Sequence, residues 1–104
     1  METHDKIRLD ILIDAPLSNR LAALLDEQGV SGYTIFAAKG GKGEVGPWSR
    51  AGLITDVGQM QLFICVMDID RRTHVLEALR EQLADHIGYV TSSAVEVIRP
   101  GKFP

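Results

Sequence analysis

Cysteine is almost missing from this chain. Cys65 stands alone, so no internal disulfide can form and nothing indicates an oxidising compartment. A basic excess is also missing: 11 Lys and Arg against 14 Asp and Glu leave a formal charge of −3. That balance argues against the broad basic face on which nucleic-acid binding depends. No apolar run approaches the length of a membrane span, and Met1–Lys6 lacks the basic-then-apolar pattern of a secretion signal. The chain therefore reads as cytoplasmic, not membrane-spanning, and not nucleic-acid-binding. What remains is an ordinary globular composition, 45% hydrophobic over 104 residues. Residues 1–104 suit one domain that buries its own core without disulfides or metal.

Ile7, Leu9, Ile11 and Ile13 alternate with Arg8, Asp10, Leu12 and Asp14, the period of a strand with one buried face. Pro16 suits a first helical turn, and Leu17, Leu21, Leu24 and Leu25 form an apolar stripe behind it. Gly29 falls where a helix end favours left-handed backbone. Gly32–Ala38 reads as a second strand and Gln59–Met67 as a third. In the third, Met60, Leu62, Ile64 and Val66 form one face and Phe63, Cys65 and Met67 the other. Asp70 is placed to cap a second helix with the stripe Val75, Leu76, Leu79 and Leu83. Gly88 reads as a break, Tyr89–Ile98 as the last strand, and residues 99–104 as a short tail in which Pro100 opposes further pairing.

The order βαββαβ is the ferredoxin-like α+β arrangement, a four-stranded antiparallel sheet with two helices on one face. The opposite face is expected to carry Leu12, Phe36, Phe63 and Cys65 or Met67. An apolar patch of that kind favours self-association; the alternative is that the tail folds over it.

Between strands two and three lie residues 39–57, without a helical or strand period. So long a connection in a compact domain is either functional or disordered. Its glycines let backbone N–H groups approach an anion, and Lys39, Lys42 and Arg50 add positive charge. The segment reads as a mobile ligand-responsive loop. Gly41–Gly46 matches G-x-G-x-x-G, yet Pro47, Gly52 and Gly58 follow where a dinucleotide fold needs a helix, so the Rossmann reading fails. Trp48 either anchors this loop on a ligand or partner, or packs back on its own domain.

Conventional catalytic groups are sparse. His4, His74 and His86 share no metal-ligand spacing with Cys65, which reads as a buried structural thiol. Asp68 and Asp70 are spaced for a cation, though helix capping explains Asp70 more simply. Glu77, Glu81 and Asp85 interleave with Arg71, Arg72 and Arg80 as on a solvated helix face. No acid/base constellation emerges, so the chain is read as a non-enzyme.

These elements together resemble the PII signal-transduction superfamily, ferredoxin-like trimers that bind an adenine nucleotide in each inter-subunit cleft. A long T-loop joins their second and third strands. Gly29-Val30-Ser31-Gly32-Tyr33-Thr34 is similar to the family's Gly-x-Thr lead-in to strand two. Lys39-Gly40-Gly41-Lys42-Gly43 stands at the glycine-rich T-loop base. Ile98-Arg99-Pro100-Gly101-Lys102 is similar to the segment whose arginine reaches the nucleotide phosphates.

The resemblance implies a nucleotide site of Thr34, Lys39, Gly40, Gly41, Lys42, Gly43, Ile64, Gly88, Tyr89 and Arg99. Thr34 would hydrogen-bond the nucleotide, Ile64 would cover the base, and Lys42 with Arg99 would meet the phosphates. The segment Asp85-His86-Ile87-Gly88-Tyr89 lacks the lysine that wraps ATP in PII proteins proper, which favours ADP or AMP over ATP. The loop has neither the tyrosine used for uridylylation nor the glutamine used for 2-oxoglutarate. That pattern is closer to the divergent branch linked to inorganic carbon and carboxysomes, where bicarbonate is a further ligand. No cofactor or metal is implied. The implied partners are two further copies of the chain and, through the T-loop, a transporter or carbon-fixation component. Two other classes compete: a ferredoxin-like interaction or metal-responsive module, and a small enzyme using Cys65 or a histidine.

Overall fold

A computed structural model describes residues 2–43, 46–49 and 59–98, with the backbone path alone for 46–49. The first strand, β1 (His4–Asp14), turns through a 3-10 segment at Ala15–Leu17, with Pro16 in its first positions, into α1 (Ser18–Glu27). Leu21, Leu24 and Leu25 of α1 are buried, and Leu17 packs on the edge of the core. The helix ends as its sequence predicts. Gly29 has φ +75°, Val30 N–H donates to the Leu25 carbonyl at 3.0 Å, and Gly29 N–H donates to the Asp26 carbonyl at 3.1 Å. That pair of bonds satisfies the last carbonyls of the helix and turns the chain into β2.

The remaining elements are β2 (Tyr33–Ala37), β3 (Gly40–Gly43), β4 (Gly46–Ser49), β5 (Met60–Met67), α2 (Arg72–Leu83) and β6 (Ile87–Val97). The main sheet has the order β2-β5-β1-β6, with every neighbouring pair antiparallel. This is the ferredoxin-like α+β fold, with two helices on one face.

Register decides which residues share a face, because opposed residues project to the same side. Leu9 opposes Cys65, Ile11 opposes Phe63 and Ile7 opposes Met67. All six are buried with the helix stripes. The expectation that Phe63, with Cys65 or Met67, would look away from the helices is therefore wrong. They fill the core, where Tyr33 stacks on Phe63 at 5.6 Å between ring centres. Met60, Leu62, Ile64 and Val66 line the open face instead.

Three other expectations need correction. Asp70 caps nothing: it lies inside a 3-10 turn, Ile69–Arg71, and α2 starts at Arg72 without a side-chain cap. The neighbouring Asp68 carboxylate accepts a hydrogen bond from Lys6 Nζ, an ion pair that ties this turn to β1. Gly88 does not break the last strand, which begins at Ile87 and carries a register shift opposite Leu12 and Ile13. The glycine-rich loop has a strand period after all at its root. There β3 and β4 pair as a ribbon, with Gly40 opposite Ser49 and Gly43 opposite Gly46.

Candidate functional site

The open face of the sheet is a grid of cross-strand rows. One row runs Thr34, Ile64, Asp10, Thr91 from β2 to β6. The next runs Phe36, Leu62, Leu12, Tyr89. Phe36 and Tyr89 are 51% and 47% exposed, so the two ends of this apolar row face solvent in the single chain, while Leu62 is half-buried and Leu12 buried between them. On the first row's other side, Arg8 grips the Asp10 carboxylate with Nε at 2.7 Å and Nη2 at 3.2 Å. This two-pronged pair offsets both charges within a mainly apolar face.

Thr34 and Ile64 are brought side by side on this face, Thr34 exposed and Ile64 half-buried. Lys39 follows β2 directly, beyond the Ala38 N–H that donates to the Met60 carbonyl at 3.0 Å. Gly40, Gly41, Lys42 and Gly43 form β3, all exposed, with Lys42 opposite Pro47. The glycine backbone is therefore accessible, as an anion cradle requires. Gly88 and Tyr89 lie on β6 at the far side of the sheet. Arg99, like Arg50, lies outside the described residues, as does the side chain of Trp48.

Strand order separates these residues into two groups. Thr34 and Ile64 occupy β2 and β5, whereas Gly88 and Tyr89 occupy β6, with β1 between them. The span from β2 to β6 is three strand spacings, about 14 Å. One chain does not bring the two groups into contact.

Sequence reasoning missed a polar cluster at the loop end of the sheet. His86 Nδ1 stands 3.5 Å from an Asp14 carboxylate oxygen, just before Gly88. Ser18 Oγ donates to Gln61 Oε1, and Ala15 N–H donates to the Gln59 carbonyl at 3.0 Å. These partners are distant in sequence, and only the strand register unites them. Cys65, the candidate nucleophile, is 1% exposed, with Sγ 3.8 Å from the Leu9 carbonyl. Burial first, then the charge of Asp10, pushes its thiol up to about 12. Such a thiol is almost wholly protonated near neutrality and is a poor nucleophile. Among the described residues no group of His, Cys, Asp and Glu could hold a metal ion, and no helix is long and apolar enough to cross a membrane.

The fold matches known proteins. CPII, a nitrogen regulatory PII-like protein from Thiomonas intermedia K12 bound to ADP, AMP and bicarbonate, superposes with TM-score 0.83. It is 24% identical, over 95% of this chain and 93% of that one. The same protein bound to ADP and bicarbonate gives TM-score 0.80 at 25% identity, over 95% and 94% of the two chains. A DUF3240 family protein from Shewanella baltica OS155 shares the fold at 13% identity and TM-score 0.63, over 96% and 97%. No curated protein matches the sequence. The model of the family described as nitrogen regulatory protein P-II matches residues 6–102. With nearly its whole length so matched, the chain belongs to the nitrogen regulatory protein P-II family.

Proposed function

We propose that this protein is a PII-like signal-transduction protein that binds ADP or AMP in clefts between the subunits of a homotrimer. The observation that carries this reading is the separation of Thr34, on the edge strand β2, and Ile64, on the adjoining β5, from Gly88 and Tyr89 on the opposite edge strand β6. A cleft between two copies reunites them: one subunit gives Thr34 and Ile64, its neighbour Gly88 and Tyr89. The apolar band of Phe36, Leu62, Leu12 and Tyr89 supplies the surface on which copies associate.

In this cleft Ile64 covers the adenine and the Thr34 hydroxyl hydrogen-bonds the nucleotide. Backbone N–H groups of Gly40, Gly41 and Gly43 approach the phosphates closely because no Cβ intervenes. Lys39, Lys42 and Arg99 meet the phosphate charge, Arg99 with the two-pronged geometry that lysine lacks. No lysine stands beside Gly88, so a third phosphate is held less well and ADP or AMP outcompetes ATP. Bicarbonate is the second ligand, a reading supported by its presence with ADP in the CPII structure.

Bound ligand biases residues 39–57, the T-loop, toward one conformation by its differential affinity for the two states. That conformation controls docking on a cytoplasmic partner of inorganic-carbon or nitrogen metabolism. The protein acts as a regulator without catalysis of its own.

The test is calorimetric titration with ADP, AMP and ATP, with and without bicarbonate, alongside subunit complementation. Thr34→Tyr and Gly88→Glu each abolish binding alone. Mixed after denaturation and refolding, they recover sites, since some clefts then carry two intact halves. Arg99→Ala weakens ADP by more than ~1.5 kcal/mol, the lower range for a charge-assisted bond. A monomer that takes up none of the three nucleotides would instead favour an interaction module without nucleotide.

A further inference from the structure

β6 carries one residue more than its partner strand, at Gly88. Tyr89 opposes Leu12 but Ile87 opposes Ile13, so the β1–β6 register slips there. A bulge of this kind re-aims the side chains beyond it. Without the slip Ile87 would stand opposite Asp14. With it, that place falls to His86, the last residue of the 3-10 turn Ala84–His86. The observed contact agrees, with His86 Nδ1 at 3.5 Å from an Asp14 carboxylate oxygen. Asp14 follows Asp10 and Leu12 in the alternation of β1 that faces away from the helices, so the slip turns His86 to the open face.

This pair closes the sheet at its loop end. Met60 opposes Asp14 on β5, and the Ala38 N–H on the Met60 carbonyl brings the loop root to the same level. One edge of the sheet therefore holds His86 where the other holds Lys39 and the β3 glycines. Copies related by an axis along the strands keep these ends together, so His86 of one copy meets the loop root of the next. From the Asp10–Ile64 row to Asp14 is four residues, about 13 Å, on the order of the reach from base to terminal phosphate in a nucleoside diphosphate. Among the described residues Asp14 is the one ion-pair partner of His86. Asp85 precedes it on its own turn, while β5 and α1 bring the uncharged Met60 and the hydrogen-bonded Ser18 and Gln61 to this end.

We infer that His86, held in place by Asp14, is a protonation-dependent contact for the terminal phosphate of a nucleoside diphosphate. This rests on the inter-subunit cleft proposed above. Asp14 takes the Nδ1 side of the ring and leaves Nε2 for a ligand. Neutral imidazole has a single N–H, and the carboxylate claims it. Imidazolium has two, so only the charged ring serves Asp14 and a phosphate at once. A phosphate dianion beside the ring favours that form, and the ring takes up a proton from solvent as the ligand binds. A monophosphate ends short of His86. The contact therefore selects ADP over AMP, and more strongly as pH falls through the histidine range.

The test is calorimetric titration of the full chain with ADP and with AMP at about pH 6 and about pH 8.5, on either side of the ordinary histidine range. At the lower pH, His86→Gln should weaken ADP by about tenfold or more and leave AMP within about twofold. At the higher pH the two proteins should converge. Comparing wild type with variant removes the titration of the nucleotide itself. His86→Lys keeps a positive charge at both pH values and should restore ADP binding at both, a rescue that a purely structural histidine would not show. Unchanged ADP affinity in His86→Gln, an equal loss for AMP, or a loss as large at the higher pH overturns this inference and leaves the cleft standing. A wild type that binds neither nucleotide removes the cleft, and His86's role with it.

Discussion

Gly88 of β6 lies against Leu12 of β1 so closely that a Cβ there would stand 3.0 Å from Leu12 Cδ2. It would also stand 3.1 Å from Met60 Cε. Both neighbours are side-chain ends, so alanine is accommodated by small shifts. The branched side chain of Gly88→Val is not, and should cost about 1–3 kcal/mol of stability as overpacking. Urea denaturation measures it, and an unchanged midpoint would show that this corner of the sheet yields freely.

The open face makes its own prediction. Phe36→Asp or Leu62→Asp puts an unpaired charge into the apolar band. If copies meet there, either change should reduce the assembly to monomers with unaltered circular dichroism, because an uncompensated buried charge is strongly unfavourable. Sedimentation velocity decides, and an undiminished oligomer would move the contact surface elsewhere.

Asp68 should contribute an acid-sensitive part of the stability. Its hydrogen bond from Lys6, then the Lys6 charge, holds its carboxyl below the usual 3.8. A folded-state value below the unfolded one favours the fold above that ordinary value. The contribution is lost as pH falls through the depressed one. Asp68→Asn should therefore lower the melting temperature near pH 6 and leave it nearly unchanged at the acid end. A mutant deficit that persists undiminished in acid would contradict the pairing with Lys6.

The Cys65 thiol, pushed up to about 12 by burial and then by Asp10, should be inert in the native protein. Near pH 8 only roughly one part in ten thousand is thiolate. A thiol-specific chromogenic reagent should react with one equivalent per chain only after denaturant is added. Rapid native labelling would reopen the case for cysteine chemistry.

Much of this architecture was legible in the residues, but unevenly. β1 alternates strongly enough to name its own buried face, and the Gly29 helix end follows from glycine at one position. β5 does not, because Met60–Met67 is apolar on both faces and carries no polarity contrast. Only pairing with β1 assigns Phe63 and Cys65 to the core. The β3–β4 ribbon escaped notice because glycines have no side chains to alternate. The Asp14–His86 contact escaped because its partners lie at opposite ends of the chain. For the candidate nucleotide residues, motif matching only nominated positions, while strand order showed that Thr34 and Tyr89 fall on opposite edge strands.

β1, synthesised first, takes its place between strands made much later. Until Met60–Met67 has left the ribosome, Ile7, Leu9, Ile11 and Ile13 have no sheet to join, and until Ile87–Val97 follows their strand is paired on one side only. Neither long helix starts with a side-chain cap to hold it locally, so early segments have little independent structure. Acquisition of the native state therefore waits for distant closure, which is slow compared with local contacts. A nascent chain stalled before β6 should present a sticky, half-paired sheet to chaperones and to its own copies.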